Sequence, residues 1–362
     1  MDLTYSVAAM TDQHTHRPVR RAAASWRPLL ALGVAPLFGL LAACSGGGPD
    51  TPSSTPTPSG PAAVSINSQP RNVVAQGGEL RLPVTAIGAQ WNPLHADADA
   101  DTLLIMSSLL PQLFNYDANG NPAPNPDYLA GVDASGDNPQ VVTYTINPNA
   151  RWGDGRSIEA ADFVANWKAC NGQNVSFKCA DTKKFAQIAS VKQGTDPQQV
   201  IVTYRGAFDD WPSTFQYLLP KEAVADPDTF NDGWDSITKI NDWLAGPFEV
   251  DRTDNKLGVL IETVDPDWWG DPAKLSQLTF RTVAAKDRLA DLKANLIDSV
   301  DISSDPDQAD SVAKIAGCEV RTATVAGQKP ELVATRATLA NYGAFGRSTV
   351  DWTDVGYLPP SG

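Results

Sequence analysis

The stretch that decides the fold is YTINPNARWGDGRSIEAADF, residues 144–163. It begins with β-prone residues up to Ile146, is interrupted at Asn147-Pro148, and then places glycines on both sides of Asp154. This order predicts a strand, a tight turn on Asp154, and a helix over 160–168 with Ser157 as its N-cap. A strand and a helix so close together indicate a body that mixes both kinds of element.

Other segments support the same interpretation. A turn is predicted over 117–122, where Gly, Pro and Asn cluster. Strands and helices that alternate irregularly predict an α/β or α+β body, and with the resemblance given below we expect the α/β class. The further predicted strands are 79–84, 199–204, 257–263 and 278–283, and the further predicted helices are 102–113, 209–218 and 287–296.

Together with four other motifs in the same order, this stretch resembles the extracellular solute-binding proteins of peptide-importing ABC transporters, family 5. Each motif alone is short and rich in Pro, Gly and Trp, but the five in order extend over residues 78–303. The other four are Trp91-Asn92-Pro93-Leu94, Gly246-Pro247-Phe248-Glu249-Val250, Asp265-Pro266-Asp267-Trp268-Trp269-Gly270 and Leu296-Ile297-Asp298-Ser299-Val300-Asp301.

The resemblance implies a lobed architecture like that of type II periplasmic binding proteins. A solute-binding domain is expected over 78–326, and residues 327–362 resemble the segment that returns to the first lobe at the end of the family's chains. Most of the second lobe has no counterpart between these two segments, so the second lobe is expected to be incomplete. Such a gap would leave apolar surface uncovered on the remaining lobe.

The N-terminal region resembles a bacterial lipoprotein leader. Basic residues precede an apolar stretch over 28–43, which ends in Leu41-Ala42-Ala43-Cys44. We expect 1–43 to be a signal peptide, starting at Met1 or Met10, and Cys44 to carry the lipid. A permanent membrane span is the alternative, but the apolar stretch is shorter than the roughly 20 residues that a span needs. Residues 44–77 are rich in Ser, Pro, Gly and Thr and are expected to form a flexible tether.

Charge and cysteine usage narrow the possible partners. The chain carries 28 basic and 42 acidic residues, a net charge of −14. This balance argues against nucleic-acid binding, which depends on Lys and Arg. Cys170 and Cys179 bracket a polar stretch and could form a disulfide outside the cytosol, which leaves Cys318 over. The spacing of these cysteines does not fit a zinc site.

The sequence contains no clear motif for catalysis or for metal binding. Apart from the leader, His95 is the one histidine, and the chain has no G-x-S-x-G, H-E-x-x-H or P-loop sequence. Asp97, Asp99 and Asp101 do not continue into a calcium-loop pattern. We therefore expect no catalytic activity, no cofactor and no metal.

The function that the resemblance implies is capture of oligopeptides outside the membrane and delivery to the permease and ATPase of an ABC importer. The protein would be exported and anchored by lipid to the outer face of the bacterial cytoplasmic membrane. Trp91 and Asn92 are the candidate substrate contacts. The alternatives are a cell-envelope lipoprotein scaffold that does not transport, and a secreted lipoprotein hydrolase, which would have to use His95.

Overall fold

The computed structural model describes residues 63–116, 121–136, 138–324, 329–343 and 351–359. Cys44, the leader over 1–43, residues 44–62 of the expected tether and residues 325–328 at the expected junction lie outside these ranges. In the described part, mixed strands and helices confirm the α/β class. None of the helices there is both long and apolar enough to span a membrane.

The first sheet lies in the main hydrophobic core, and we call the part of the fold that is built on this core the large lobe. Its strand order is β2-β11-β10-β9, with β2 parallel to β11 and the other pairs antiparallel. Helix α1 (Ala100–Leu109) packs beside β9, and Asp99 caps its N-terminus by accepting from the Thr102 backbone N–H. The strands are β2 (Glu79–Val84), β9 (Phe248–Asp254), β10 (Val259–Val264) and β11 (Gln277–Thr282).

The second sheet contains the first residues of the stretch 144–163, which lie on β6, and its strand order is β5-β6-β8-β7. Its strands are β5 (Leu129–Ser135), β6 (Val141–Ile146), β7 (Ile188–Gln193) and β8 (Gln199–Tyr204), accompanied by α2 (Ala160–Cys170) and α3 (Lys183–Ala186). The predicted N-cap is wrong, because Glu159 caps α2 in a capping box with Asp162, whereas Ser157 bridges to Arg151. One continuous core joins this sheet to the first.

A third sheet of order β1-β13-β14-β12 forms what we call the small module, together with α5 and α6. Its elements are β1 (Ala63–Val64), β12 (Ser299–Asp301), β13 (Cys318–Thr324), β14 (Glu331–Arg336), α5 (Arg288–Lys293) and α6 (Ala309–Val312). A separate apolar core lies inside it, formed by Val283, Leu292, Ile297, Val300, Ile302, Val312 and Ala334. The small module therefore buries its own hydrophobic residues.

The C-terminal segment contacts the large lobe. Trp352 is buried and donates from Nε1 to Ser107 Oγ over 2.9 Å. The Tyr357 carbonyl accepts from the Ala75 N–H, and Lys274 N–H donates to the Thr353 carbonyl. The remaining short elements are β3 (Phe114–Tyr116), β4 (Pro122–Pro124), β15 (Leu339–Ala340), β16 (Gly356–Tyr357) and α4 (Pro227–Asp232).

Residues 63–77 correct the expected length of the tether. Strand β1 pairs with β13, the Asn67 amide donates to the Leu339 carbonyl, and Val74 is buried. Arg71 forms an ion pair with Asp354 at 2.6 Å. Since these residues have structural partners far along the chain, the segment from 63 onward belongs to the folded body.

Two further expectations are wrong. Residues 209–218 contain only the short 3₁₀ turn Trp211–Ser213, because the ring of Pro212 cannot occupy a helix interior. The expected apolar surface is also absent from the described residues, where the exposed large hydrophobic side chains are Val73, Val175, Leu257 and Leu296.

Candidate functional site

The candidate site lies at the edge where β2 and β11 end. These two strands are parallel and in register, so Val84 and Thr282 finish side by side. After Val84 the chain continues to α1, and after Thr282 it continues into the small module. Ligands of α/β proteins bind outside the carboxyl ends of parallel strands and at junctions between units. We call this place the β2 edge.

The loop after β2 is exposed but held in place. Asp101, in the first turn of α1, accepts from the Thr85 backbone N–H at 2.6 Å and from the Ala86 N–H at 3.3 Å. Arg288 approaches from the small-module side, donating from Nη2 to Thr85 Oγ1 and from Nε to the Val283 carbonyl, both over 3.1 Å. The β2 edge thus combines backbone groups, a carboxylate and a guanidinium in a fixed arrangement.

The turn between β9 and β10 completes this edge. Asp254 Oδ1 accepts from the Lys256 and Leu257 backbone N–H groups, and Gly258 adopts a φ of 61°, which favours glycine. The Leu257 side chain is 75% exposed although large and apolar. Its position beside polar backbone groups gives the edge both apolar and hydrogen-bonding surface.

An ion-paired cluster joins the small module to β2. Asp298 is 4% exposed and accepts from Arg81 Nη2 at 2.7 Å and from Arg81 Nε and N, each at 2.9 Å. Its backbone carbonyl accepts from the Arg336 N–H, and its N–H donates to the Arg81 carbonyl. Hydrogen bonding to Asp298 raises the pKa of Arg81. We call Arg81, Asp298 and Arg336 the Asp298 clamp.

Trp91 and Asn92, the expected substrate contacts, are buried in the structure. Asn92 has no exposed surface, donates its amide to the Phe230 carbonyl over 2.8 Å, and accepts from the Leu94 N–H. Trp91 is 2% exposed and its N–H donates to the Trp234 carbonyl. This corrects the expectation, because neither side chain has surface left for a ligand. Both residues hold the loop that leads to α1.

The other motif residues also shape the fold. Trp152 donates from Nε1 to Asp162, Gly155 has a φ of 85°, and Trp269 donates to the Asp127 carbonyl. A side chain at Gly246 would collide with the Ser108 carbonyl. A disulfide joins Cys170, at the end of α2, to Cys179, with a Cα–Cα distance of 5.6 Å.

The structure offers no site for covalent chemistry at His95. This residue is 2% exposed, its Nδ1 accepts from the Asp97 N–H, and burial lowers its pKa. It is therefore a neutral interior side chain at physiological pH. No group of three His, Cys, Asp or Glu residues suited to a metal ion occurs in the described ranges.

The fold is a mixed α/β architecture, and comparison with known proteins gives the class and the family of the chain. Residues 124–332 match the bacterial extracellular solute-binding proteins, family 5, and the chain belongs to this family. The family consists of solute-binding proteins.

Among relatives, the oligopeptide-binding protein OppA of Mycobacterium tuberculosis is 32% identical over 262 residues, which are 71% of this chain and 44% of that protein. The probable monoacyl phosphatidylinositol tetramannoside-binding protein LpqW of the same organism is 28% identical, over 77% of this chain and 42% of its own. The solved periplasmic EDTA-binding protein EppA has the same fold, with a TM-score of 0.62 and 22% identity, over 71% of this chain and 49% of that chain. The chain thus spans less than half the length of the curated relatives that it matches.

The contacts that Arg81, Asp101, Arg288 and Asp298 form in the structure were not predicted from the sequence. Arg81 and Asp298 are 217 positions apart, and no short motif marks Arg81. The only available signal was the resemblance of the segment around Asp298 to a family element, which gives no contact partner.

Proposed function

We propose that the protein captures oligopeptides outside the membrane and delivers them to the permease and ATPase of an ABC importer. The observation that carries this proposal is the 32% identity to OppA over 262 residues. The protein would be exported, cut before Cys44 and held by a lipid on that thiol at the outer face of the cytoplasmic membrane.

The β2 edge is the proposed place of capture. An extended peptide needs hydrogen-bonding partners for its backbone and tolerant, partly apolar surface for its side chains. The guanidinium of Arg288 and the exposed side chain of Leu257 supply such groups.

Calorimetric titration of the purified chain with a library of short peptides tests the proposal. Saturable binding is expected, and Arg288→Gln should weaken it by about tenfold, since a charge-assisted contact would be lost. Lys192→Gln, which removes the same charge from an exposed position on β7, is the matched control. A folded chain that binds no peptide would contradict the proposal.

Such a negative result would favour the second candidate, a cell-envelope scaffold that does not transport. The burial of Trp91 and Asn92, the expected substrate contacts, favours this second candidate. Co-purification of the wild-type chain with permease subunits distinguishes the two, as only the importer component should associate with them.

A further inference from the structure

A cavity lies at the end of the first sheet that is opposite to the β2 edge. Its volume is about 350 Å³, within the range of small-molecule sites. It opens where β9 begins and β10 has ended, whereas the β2 edge adjoins the turn at the other end of these strands. The length of β9 separates the two places by about 20 Å. We call this second site the indole cavity.

Aromatic and aliphatic side chains form part of its wall. Trp152, Phe248, Leu244 and Trp269 line it, and the first three are buried in the core. Trp152 is fixed by its bond to Asp162, and Trp269 by its bond to the Asp127 carbonyl at 2.7 Å. Trp152 and Phe248 are each 1% exposed, so the half-buried ring of Trp269 is the aromatic surface of this wall that a guest can reach.

Three carboxylates complete the wall. Glu249, Asp265 and Asp267 line the cavity, and none of them forms an ion pair in the described part of the chain. Arg151 also lines the space, but its Nε donates to the Asn149 carbonyl rather than to a carboxylate. With three carboxylates and one guanidinium in its wall, the cavity carries an excess of negative charge.

The electrostatics of these carboxyl groups agree with that description. Burial and then the neighbouring Asp265 and Asp267 raise the pKa of Glu249, and burial raises the pKa of Asp265. Every side-chain charge that perturbs these two groups is another carboxylate. A cation inside the cavity would relieve this repulsion, and it would be screened less than at an open surface.

We propose that the indole cavity binds a small organic cation, an alkylguanidinium or alkylammonium group with an apolar stem. The accessible part of the Trp269 indole attracts such a cation, and the carboxylates supply the counter-charge and hydrogen-bond acceptors. A bare metal ion fits less well, because the described residues offer no suitable ligand cluster. The proposal does not depend on peptide capture at the β2 edge.

Titration of the full-length chain with agmatine, followed by tryptophan fluorescence and calorimetry, tests the proposal. Saturable binding that weakens with added salt is expected, and the double variant Glu249→Gln, Asp267→Asn should bind about tenfold more weakly or worse. Neither carboxylate accepts a side-chain hydrogen bond in the described part of the chain, so the fold should persist. Asp307→Asn, an exposed residue of the small module, is the matched control and should bind as the wild type does.

Two probes distinguish the source of the cation. Agmatine represents a free amine, and the blocked peptide acetyl-Gly-Arg-Gly-amide represents an arginine side chain of a polypeptide. Binding of either one with the expected loss in the double variant supports the site. The proposal is overturned if the folded wild type binds neither probe, or if the double variant binds as tightly as the wild type.

Discussion

Two regions of the molecule are each held together by one buried aspartate. The two aspartates differ in how far along the chain their hydrogen-bond donors lie. Asp162 has no exposed surface and accepts from Trp152, Arg156 and the Glu159 N–H, all within ten positions, as well as from the Lys221 N–H. Asp298, in contrast, accepts from Arg81 at a separation of 217 positions. The first network fixes a local turn and helix start, and the second joins two units of the fold.

This difference separates what a short motif specifies from what only the assembled fold brings together. The surroundings of Asp162 can form while the neighbouring chain folds, since its donors are nearby. The Asp298 clamp needs β2 and the small module to be placed first. We therefore expect changes at Asp162 to affect global stability, and changes at Asp298 to affect mainly the attachment of the small module.

The largest expected effect is that of Asp162→Ala. Removing this carboxylate leaves the Arg156 guanidinium and the Trp152 N–H without their buried partner, which should cost about 3–5 kcal/mol of unfolding free energy. Urea denaturation measures the change. Glu222→Ala is the control, because Glu222 binds the same Arg156 from a half-exposed position and should cost less than about 1 kcal/mol. Equal losses in the two variants would contradict the assignment.

Loss of the disulfide should be the next largest effect. Cys170→Ser with Cys179→Ser opens a loop of nine-residue separation, and the closure entropy of so short a loop predicts a loss of about 2–3 kcal/mol. Thermal and urea unfolding of the double variant measure it. Treatment with a reductant should destabilise the wild type but leave the variant unchanged. A variant as stable as the wild type would exclude a stabilising role for this bond.

Asp298→Asn should cost about 1–3 kcal/mol, because the charge-assisted bonds from Arg81 are weakened. Its distinguishing result is local: amide hydrogen exchange should accelerate in β12 and β14 more than in β6 and β8. Asp307→Asn, at an exposed position of the small module, should change neither quantity. If exchange accelerates uniformly, the clamp does not separate the small module from the rest.

The smallest expected effect concerns pH. Burial, with Asp351 and Asp271 nearby, raises the pKa of Asp127 from 3.8 to about 6. Since the folded pKa is the higher one, this group stabilises the protein fully below its unfolded pKa, and the contribution is lost as the pH rises through 6. Between pH 4 and pH 7 the wild type should lose about 1 kcal/mol more than Asp127→Asn, after discount for solvent screening. Parallel pH profiles of urea unfolding would contradict this.

Much of the fold could be predicted from the sequence, because β-prone runs and turn residues are local signals. The predicted strand that ends at Ile146 and the predicted strand 199–204 both occur in the structure. The helix over 209–218 failed because Pro212 outweighs its aromatic content. The role of residues 63–77 was missed, since their partners lie near the C-terminus.

The candidate site was harder to predict. The Asn-Pro-Leu motif drew attention to Trp91 and Asn92, but a motif does not reveal whether its side chains point inward. Arg288 and Asp101 meet at Thr85 only because two strands end side by side. The indole cavity likewise depends on residues from distant segments, and the packing that opens it is not encoded by any one of them.

Hydrogen exchange of the full chain, with and without a bound oligopeptide, tests the central claim most directly. A blocked oligopeptide without Arg or Lys is expected to slow exchange in the loop over 85–90 and in the turn over 254–258, while the amides of residues 265–269 at the indole cavity are unchanged. Unchanged exchange at the β2 edge in the presence of saturating peptide would contradict the account.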